Sequence, residues 1–410
     1  MKKKVIIVGG GITGCVTALY LSYKKFDVSI YDQKKKIGGV LNDFHHGEEI
    51  FFNGCQYLNP DEKWFKKIFK LFNLDLKIFE HKYSSLTIFK NNSIHEKNYA
   101  IPIFNNSKNK IKLNEIEVLN LKNRINQYPK KIAKFLIDHL EKFNLNLDLL
   151  APHNASQFYI PRVTIQGQEK KLLKLKTKNK YDERFAVQRK SIFGNKKIKA
   201  SIPKKGYDNF FQKFSKIFEK KKVKIFLKKP FNPIWKNEKL HLKINNSEII
   251  TADHIIWTVN PTKLIENITL KKLDSAPMKI IQYSFNTKKF LNYKYTHIFL
   301  KSSSFLRFYT YKIMNKNKAS LECIFEKKDI NKVKQEINKL LKKLGLKFKI
   351  GKEKIYQNFS IRYGLITLKD ELLINNLKNK TKQSNLICGP WDIDGRDNKI
   401  NYILEKISKI

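Results

Sequence analysis

Long apolar runs, cysteine pairs and histidine clusters are all missing from this chain. Its 410 residues contain no stretch approaching roughly 18 consecutive apolar residues, so no transmembrane helix is predicted. The four cysteines, Cys15, Cys55, Cys323 and Cys388, form no CxxC pair, which argues against a disulfide framework or a thiolate metal centre. The nine histidines show no ligand spacing. We therefore expect no metal, reduced thiols and a cytoplasmic protein.

Acidic residues are scarce, with 36 against 83 basic ones, for a formal net charge of +47. A field of this sign attracts nucleic acid, an anionic membrane surface or a phosphorylated substrate. The lysines are spread along the chain without a nucleic-acid motif, and the abundance of Lys, Asn, Ile and Phe equally fits drift toward A/T-rich codons. Both explanations stay open. We expect a small anionic or phosphorylated substrate, no nucleic acid, and peripheral membrane contact at most. Nothing in the sequence indicates an oligomeric state.

Arginine is the rarer cation by far, with seven of the 83 basic residues. Its planar fork binds phosphate, carboxylate or a flavin edge in a way that lysine cannot copy. In a chain so rich in lysine, we expect two or three of the arginines to be functional. The seven are Arg124, Arg162, Arg184, Arg189, Arg307, Arg362 and Arg396.

Glycine is also sparse, but half of the 16 glycines lie in the first 54 residues. Clustered glycine is typical of a backbone that needs positive φ or a close approach to another group. The eight early glycines are Gly9, Gly10, Gly11, Gly14, Gly38, Gly39, Gly47 and Gly54.

The order of these glycines predicts a dinucleotide-binding turn. Residues 5–8 form a short apolar run typical of a parallel strand that is buried on both faces. Gly9 makes the turn, Gly11 lets a pyrophosphate approach the backbone, and Gly14 lets the next helix lie close to the sheet. The amino end of that helix favours the phosphates. A second strand ends at Asp32, which is placed to bind a ribose hydroxyl.

Further along the chain, apolar periodicity predicts helices near residues 61–72, 113–143 (with a break at Pro129), 207–218, 330–344 and 400–407. Strands are predicted near residues 85–104, 223–227, 240–244, 253–258 and 280–325. The fold class expected is α/β, with a Rossmann-like FAD-binding domain of the GR2 type and a discontinuous α+β cap and substrate domain that contains an antiparallel sheet. We assign residues 1–75, 200–262 and 383–410 to FAD binding, 76–199 to a mainly helical cap, and 263–382 to the antiparallel-sheet substrate domain.

With these motifs, the chain resembles the FAD-dependent amine oxidase and protoporphyrinogen oxidase superfamily and its relative, UDP-galactopyranose mutase. The doublet Gly38-Gly39 looks like the second FAD contact of that superfamily, and Gly389 stands where its last strand places a glycine against the flavin. The resemblance implies FAD as cofactor. The implied FAD contacts are Gly9, Gly10, Gly11, Ile12, Thr13, Gly14, Asp32, Gln33, Gly38, Gly39, Val40, Gly54, Gly389 and Asp392.

The resemblance to the mutase has two departures. Gln56 stands where the mutase has a histidine beside the flavin, and Pro390 replaces the arginine of its terminal glycine-arginine pair. The segment Phe305-Leu306-Arg307, with Lys312 beyond it, is similar to the arginine-and-lysine stretch of the mutase beside its substrate.

Three functions follow from the resemblance. The first is an FAD-dependent oxidoreductase, in which flavin N5 accepts a hydride from a small, anionic substrate. Arg307 and Arg362 would then hold an anionic group or stabilise the reduced flavin, and Lys312 or Tyr363 would assist proton transfer. The second is a nucleotide-sugar isomerase that uses reduced FAD, as the mutase does. The third is a non-catalytic binding scaffold of the same fold.

Overall fold

A computed structural model describes most of the chain. The described residues are 2–54, 57–69, 76–80, 82–89, 92–96, 103–104, 119–128, 130–158, 164–165, 199–245, 247–274, 277–288, 294–300, 303–324, 329–346, 349–351, 354–391 and 396–410.

The α-helices of the described residues are distributed along the whole sequence, between groups of strands. They are α1 (Ile12–Tyr23), α2 (Lys63–Phe69), α3 (Leu121–Asn126), α4 (Lys130–Glu141), α5 (Tyr207–Lys220), α6 (Thr262–Thr269), α7 (Ile330–Lys343), α8 (Leu368–Lys380) and α9 (Arg396–Ile407). A 3₁₀ helix spans Pro152–Phe158. Within these parts of the chain, no helix combines the length and the apolar character that a bilayer crossing requires.

The strands of the described residues fall into several sheets. In chain order they are β1 (Lys4–Val8), β2 (Asp27–Tyr31), β3 (Asp43–His46), β4 (Glu49–Phe52), β5 (Leu76–Glu80), β6 (Lys82–Phe89), β7 (Asn92–Glu96), β8 (Ile103–Phe104), β9 (Thr164–Ile165), β10 (Lys199–Pro203), β11 (Lys224–Phe226), β12 (Phe231–Lys236), β13 (Lys239–Ile244), β14 (Glu248–Ile250), β15 (His254–Trp257), β16 (Pro277–Asn286), β17 (Lys294–Phe299), β18 (Phe305–Ile313), β19 (Lys316–Ile324), β20 (Tyr356–Gly364) and β21 (Leu386–Ile387).

The first sheet is parallel and has the strand order β11-β2-β1-β15-β21. Val5 at its centre pairs with Val28 on one side and His254 on the other. The sheet therefore joins three separate stretches of the chain. Pairing of strands this far apart in sequence is how a discontinuous nucleotide-binding domain is built.

Both faces of this parallel sheet are covered, which explains the unbroken apolar run of β1. Val5 and Ile7 pack in one core together with apolar residues of α1, α5 and α9. Ile6 and Val8 point to the other core, which contains residues of α6, α8 and the small antiparallel sheet β12-β13-β14. A strand that is buried on both faces is apolar throughout, without alternation of polar and apolar residues.

The second large sheet has the order β20-β16-β19-β18-β17-β6-β7. All of its pairs are antiparallel except β6 with β17, which run parallel. One face packs against α7 through a core that includes Tyr283, Phe285, Leu321 and Ile337. The opposite face looks toward β4 and the cap.

Strands β6 and β7 lie close to the strands predicted near residues 85–104, within the segment 76–199 that was assigned to a mainly helical cap. The described part of that segment does contain α3, α4 and the 3₁₀ helix, which share a core around Leu121, Leu136 and Phe158. However, β6 and β7 extend the seven-stranded sheet instead of joining the cap. The partner of β6, β17, lies about two hundred residues away in the sequence, so no local pattern marks the pairing.

The predicted fold class is confirmed: a Rossmann-like parallel sheet is combined with helices and with separate antiparallel sheets. The exact boundaries of the domains stay a prediction. Strand β10 pairs with β5 outside the parallel sheet. The chain therefore enters α5 from this two-stranded sheet and not from the parallel sheet.

Candidate dinucleotide and substrate site

The turn after β1 is as tight as its glycines suggest. Gly9 has φ +109°, a conformation that L side chains rarely adopt, and its amide donates to the Tyr31 carbonyl at 2.8 Å. A Cβ on Gly14 would lie 1.9 Å from the Gly9 carbonyl oxygen. Gly14 therefore lets α1 start directly on top of the turn. Thr258 closes the other side, since its hydroxyl donates to the Val8 carbonyl at 2.9 Å.

The amino end of α1 is open to a ligand made of phosphate groups. No side chain caps the helix, and no acidic residue lies in its first turn. Gly11, the residue at the helix start, has ordinary backbone angles, and a Cβ there would meet only Gly39 Cα at 3.8 Å. The space around Gly11 is therefore open because glycine has no side chain. The backbone angles at this position would allow any residue. Uncapped amides and the helix dipole together favour an anion at this position.

The glycine doublet lies against the first turn. The Gly38 amide donates to the Gly10 carbonyl at 2.7 Å, and Gly11 and Gly38 form a parallel bridge. A Cβ on Gly39 would be 2.9 Å from Gly11 Cα, and one on Gly38 would be 2.7 Å from the Leu41 carbonyl oxygen. The two predicted cofactor segments are therefore in direct main-chain contact.

Asp32 lies at the end of β2 beside this turn. Its carboxylate accepts the Gly10 amide at 2.7 Å and the Lys34 amide at 2.8 Å. Only 7% of the residue is exposed. Two backbone donors fix the carboxylate at the carboxyl edge of the parallel sheet, where a ribose hydroxyl of a dinucleotide would donate to it.

The other predicted cofactor contacts differ in exposure. Ile12 is buried, Thr13 is half-buried, and Gln33 and Val40 are exposed. Gly389 follows β21 and leaves no room for a side chain, since a Cβ would lie 2.6 Å from the Trp257 carbonyl oxygen. Asp392, together with Cys55 and Gln56, lies outside the described residues.

Gly54 connects the dinucleotide side to the large sheet. It has φ +94° and is buried, and its amide donates to Gln282 Oε1 on β16. The same side-chain amide donates through Nε2 to the Phe52 carbonyl and, at 3.0 Å, to Ser284 Oγ. Gln282 thus holds the segment that leaves β4 against the sheet.

Gln282 belongs to a set of buried polar residues on one face of the seven-stranded sheet, which we call the polar face. Register aligns Arg307, Glu322 and Gln282 in one row, and Ser320 with Ser284 in the next. Each is at most 7% exposed. A buried polar face needs hydrogen-bond partners, and here they come from neighbouring strands and from the segment after β4. The polar face comprises Gln282, Ser284, Arg307, Lys318, Ser320 and Glu322.

Arg307 is paired within this face. Its Nε and Nη2 atoms contact the Glu322 carboxylate, and Nη1 donates to Tyr295 Oη at 2.9 Å. The Arg307 side chain is 8% exposed and that of Glu322 only 1%. The cation that the sequence assigned to an anionic substrate group therefore already has a carboxylate counterion.

Arg307 and Lys312, which the resemblance places in one stretch beside a substrate, lie on opposite faces of β18. From Arg307 to Ile313, β18 pairs with β19 without a bulge, so side chains alternate strictly between the faces. Five positions separate the two residues, and Lys312 consequently lies on the opposite face. Arg307 and Lys312 are close in the sequence, but the alternation of side chains along the strand places them on different faces of the sheet.

Arg362 and Tyr363 lie at the end of β20, and their side chains are outside the described residues. Arg362 pairs in register with Met278. Two strands separate β20 from β18, and four residues of β20 separate Arg362 from Asn358, which is in the row of Arg307. With strands about 4.8 Å apart and about 3.3 Å per residue, the two arginine backbones are roughly 20 Å apart. The structure does not bring them together.

Among the other arginines, Arg396 has a structural contact. Its Nη1 donates to the Tyr57 carbonyl at 2.7 Å, and the next residue, Asp397, accepts Trp64 Nε1 at 2.9 Å. These bonds tie the start of α9 to the segment that follows Gly54. Arg162, Arg184 and Arg189 fall outside the described residues.

A cluster of Asp43, His45 and Asp208 lies where β3 meets α5. The Asp43 carboxylate accepts the amides of Tyr207 and Asp208 at 3.1 and 3.0 Å and so caps α5 from another segment. Burial raises the pKa of Asp43 to about 6, although both helix amides oppose the shift. The ligand atoms of the three residues lie within 4.8 Å of one another. Asp208 is already paired with Lys36 at 2.5 Å, so both carboxylates are engaged.

The polar residues that organise this site were not predicted from the sequence. Gln282 and Ser284 alternate with apolar residues on β16, as Ser320 and Glu322 do on β19. Polar and apolar residues do alternate along both strands, but this alternation is more typical of a sheet with one face in contact with solvent. Glu322 and Gln282 carry no motif that would have identified them.

Comparison with known proteins supports the Rossmann assignment. Residues 7–72 match the family model for an NAD(P)-binding Rossmann-like domain. A stretch of 41 residues is 49% identical to 4,4'-diaponeurosporene oxygenase of Staphylococcus haemolyticus. That match covers 10% of this chain and 8% of the length of the oxygenase.

Solved structures share the fold across the whole chain. A reduced UDP-galactopyranose mutase matches with a TM-score of 0.68 at 11% identity, over 100% of this chain and 96% of that one. An Exiguobacterium protein assigned as a protoporphyrinogen oxidase matches with a TM-score of 0.60 at 11% identity, over 100% and 99%. Putrescine oxidase bound to putrescine matches with a TM-score of 0.54 at 10% identity, over 100% and 99%. The chain therefore has an NAD(P)-binding Rossmann-like domain and the fold of the superfamily that the sequence resembles.

Proposed function

We propose that this chain is an FAD-dependent oxidoreductase. The observation that carries the proposal is the open main-chain cradle formed by Gly11, the uncapped start of α1 and the glycine doublet. These residues fit a dinucleotide pyrophosphate, because amides line the cradle and a side chain at Gly11 would enter it. Bound FAD supplies a hydride acceptor, and the fold shared with amine and protoporphyrinogen oxidases supports that chemistry.

The chain's own residues would hold the two ends of the cofactor. Asp32 would bind the adenosine ribose, and Gly11, Gly39 and the α1 amides the pyrophosphate. At the other end, Gln282 fixes Gly54 against the polar face, and Gly389 brings the backbone after β21 close to Trp257. The polar face, buried and hydrogen-bonded, would exclude water and orient the substrate.

The charge pattern favours oxidation over isomerisation of a nucleotide sugar. A mutase-like reaction needs cations that hold a diphosphate. Here Arg307 is neutralised by Glu322, and Lys312 lies on the other face of β18. The described residues of the polar face thus offer no pair of uncompensated cations for a diphosphate.

The first experiment tests the cradle. In Gly11→Val, the branched side chain would fill the place of the pyrophosphate. The backbone angles of Gly11 suit any residue, so loss of stability should be limited to about 1 kcal/mol from a poorer helix start. The expected result is a folded protein without the visible flavin absorption band, while the wild type retains stoichiometric FAD. Gly47→Ala, at a turn with φ +59° and nothing within 4 Å, is the control for a general loss of stability, since Ala strains that backbone, and it should keep its flavin.

The second experiment separates the reactions. An oxidoreductase bleaches its flavin when given its substrate, whereas an isomerase works only with pre-reduced flavin and leaves it reduced. Interconversion of pyranose and furanose sugar nucleotides by the dithionite-reduced protein would contradict the proposal. A wild type that retains no flavin absorption after incubation with FAD and removal of the excess would instead favour the non-catalytic scaffold.

A further inference from the structure

A narrow cleft lies between the cap and the polar face, directly beside Arg307. Its volume of about 30 Å³ has room for a small terminal group but not for a ring. The cleft is lined from the cap by His139, Phe143 and Phe158, and from the sheet by Phe299, Leu306 and Arg307. Ile280 also lines it, two residues from Gln282 on β16, so the cleft continues the same sheet face that holds Gly54.

The charged pair beside this cleft, Arg307 with Glu322, carries no net charge, whereas the whole chain carries +47. Arg307 lines the cleft from the sheet beside His297, and the Glu322 carboxylate contacts two of the Arg307 nitrogens. Both side chains are buried, so solvent does not screen the pair from a ligand. An anion entering the cleft would meet the guanidinium and the carboxylate together, and the two contributions largely cancel.

The cap side of the cleft adds no lasting positive charge. Burial, followed by the nearby Lys142 ammonium, lowers the pKa of His139 well below its usual value, so the imidazole is neutral at pH 7. Its Nδ1 has no hydrogen-bond partner among the described residues. Lys142, one turn beyond, has its pKa lowered to about 7 by burial, and above that pH it too is mainly neutral.

We propose that this cleft binds a small uncharged group of the substrate, such as a carbonyl, hydroxyl or primary amide, and that Glu322 excludes carboxylates and phosphates from it. The apolar walls suit the carbon beside such a group, and the neutral His139 ring can accept or donate one hydrogen bond. Glu322 is thus a specificity-determining residue, and the substrate is not anionic where it meets Arg307. The inference rests on the proposed function only in identifying the bound group as part of a substrate.

The test uses two isosteric probes, acetamide and acetate, and the FAD-loaded wild type at pH 8, where Lys142 is mainly neutral. Binding is measured by saturation-transfer NMR. We expect acetamide to bind in the cleft at least about tenfold more tightly than acetate. Leu306→Phe should abolish the acetamide signal, because the larger ring fills the cleft.

Leu306→Phe also distinguishes acetate bound in the cleft from acetate bound at other sites on the protein. Acetate binding that is unchanged in this variant belongs to the lysine-rich surface and leaves the expected result intact. Acetate that binds wild type more tightly than acetamide, and is lost in Leu306→Phe, overturns the proposal.

Changing Glu322 should reverse the preference. Glu322→Gln keeps the shape but exposes the charge of Arg307, so acetate affinity should rise at least about tenfold. The double variant Arg307→Met with Glu322→Met removes both charges without leaving one buried alone. It should still exclude acetate, and it keeps the test valid if Glu322→Gln does not fold. A double variant that binds acetate at least about tenfold more tightly than the wild type would overturn the proposal, because the gain would then not come from Arg307.

These outcomes are distinct from failure of the proposed function. If the protein binds no flavin, the probe measurements on the flavin-free wild type still report the charge preference of the cleft. If the protein binds flavin but its cleft binds acetate more tightly than acetamide, the oxidoreductase proposal is unaffected and only the role of Glu322 is contradicted.

Discussion

Glu49 and Lys318 form an ion pair that joins the β3-β4 hairpin to the polar face of the large sheet. The Lys318 side chain is only 1% exposed, and its ammonium also donates to Asn286 at 2.6 Å and lies 4.3 Å from the centre of the Phe51 ring. Lys316 contacts the same carboxylate from outside at 3.0 Å. One carboxylate thus serves a buried and an exposed lysine.

Glu49→Gln should destabilise the protein because it leaves the Lys318 ammonium buried without a counterion. We expect a loss of about 1–3 kcal/mol in the free energy of unfolding, measured by urea denaturation, since Glu49 itself is partly accessible. The matched control, Lys316→Gln, removes only the exposed partner and should cost less than about 1 kcal/mol. Equal losses in both variants would show that burial of Lys318 does not matter.

The same pair should give an acid-dependent stability. Burial raises the pKa of Glu49, but the hydrogen bonds from Lys318 and Lys316 outweigh it and lower the pKa to about 2. Because the folded pKa lies below the ordinary value of 4.5, the contribution is full above that pH and is lost as the pH falls toward 2. The difference in unfolding free energy between wild type and Glu49→Gln should shrink over this range.

Asp32→Asn should weaken dinucleotide binding while the fold survives. The amide keeps one oxygen for the Gly10 or Lys34 donor but loses the charge that a ribose hydroxyl would meet. We expect FAD affinity to fall by about tenfold to a hundredfold, measured by flavin fluorescence on titrating the apoprotein. Asp27→Asn, at the other end of β2 in an exposed pair with Lys224, should leave the affinity unchanged.

Asp43 should make the protein less stable as the pH rises from about 4 to 6. Burial raises its pKa from 3.8 to about 6, so the folded protein holds a proton that the unfolded chain releases. The stability from this group is full below about pH 4 and declines by up to about 3 kcal/mol as the pH passes 6.

The measurement for Asp43 is the unfolding free energy of wild type and Asp43→Asn between pH 4 and 7. His45, Asp208 and Lys36 are present in both proteins, so their direct contributions cancel in the difference. Parallel profiles for the two proteins would contradict the raised pKa.

Lys142→Met should stabilise the protein at neutral pH. Burial lowers the pKa of Lys142 to about 7, and its Nζ has no hydrogen-bond partner in the described parts of the chain. Because the folded pKa lies below the unfolded value, the cost grows as the pH falls from about 10 to 7 and is constant below that. We expect a gain of about 2 kcal/mol at pH 7 that declines toward pH 10, measured by chemical denaturation. Lys134→Met, on the preceding helix with an exposed side chain, should be neutral.

The dinucleotide half of the fold was predictable because its signals are local. The apolar run of β1, the spacing from Gly9 to Gly14 and the acid at the end of β2 all lie within about 30 residues. Each has a steric or hydrogen-bonding reason that the structure shows. A Cβ on Gly14, for example, would lie only 1.9 Å from the Gly9 carbonyl oxygen.

The substrate half was less predictable because its chemistry depends on long-range register. Arg307 and Glu322 are 15 residues apart in sequence and directly paired across β18 and β19. Composition singled out Arg307 as a rare arginine, yet only the register reveals its counterion. Likewise, adjacency in the sequence grouped Arg307 with Lys312, and the pleat separated them. Alternation alone does not distinguish a sheet face that meets solvent from one that meets another domain.

The parallel sheet sets an order of events during synthesis. β1 and its glycine turn leave the ribosome early, yet β1 pairs with β15 some 250 residues later, and β15 with β21 after about 130 more. The edge that would receive the cofactor cannot close until β21 has emerged. Assembly therefore depends on slow loop closure over long distances, and cofactor capture should be a post-translational step.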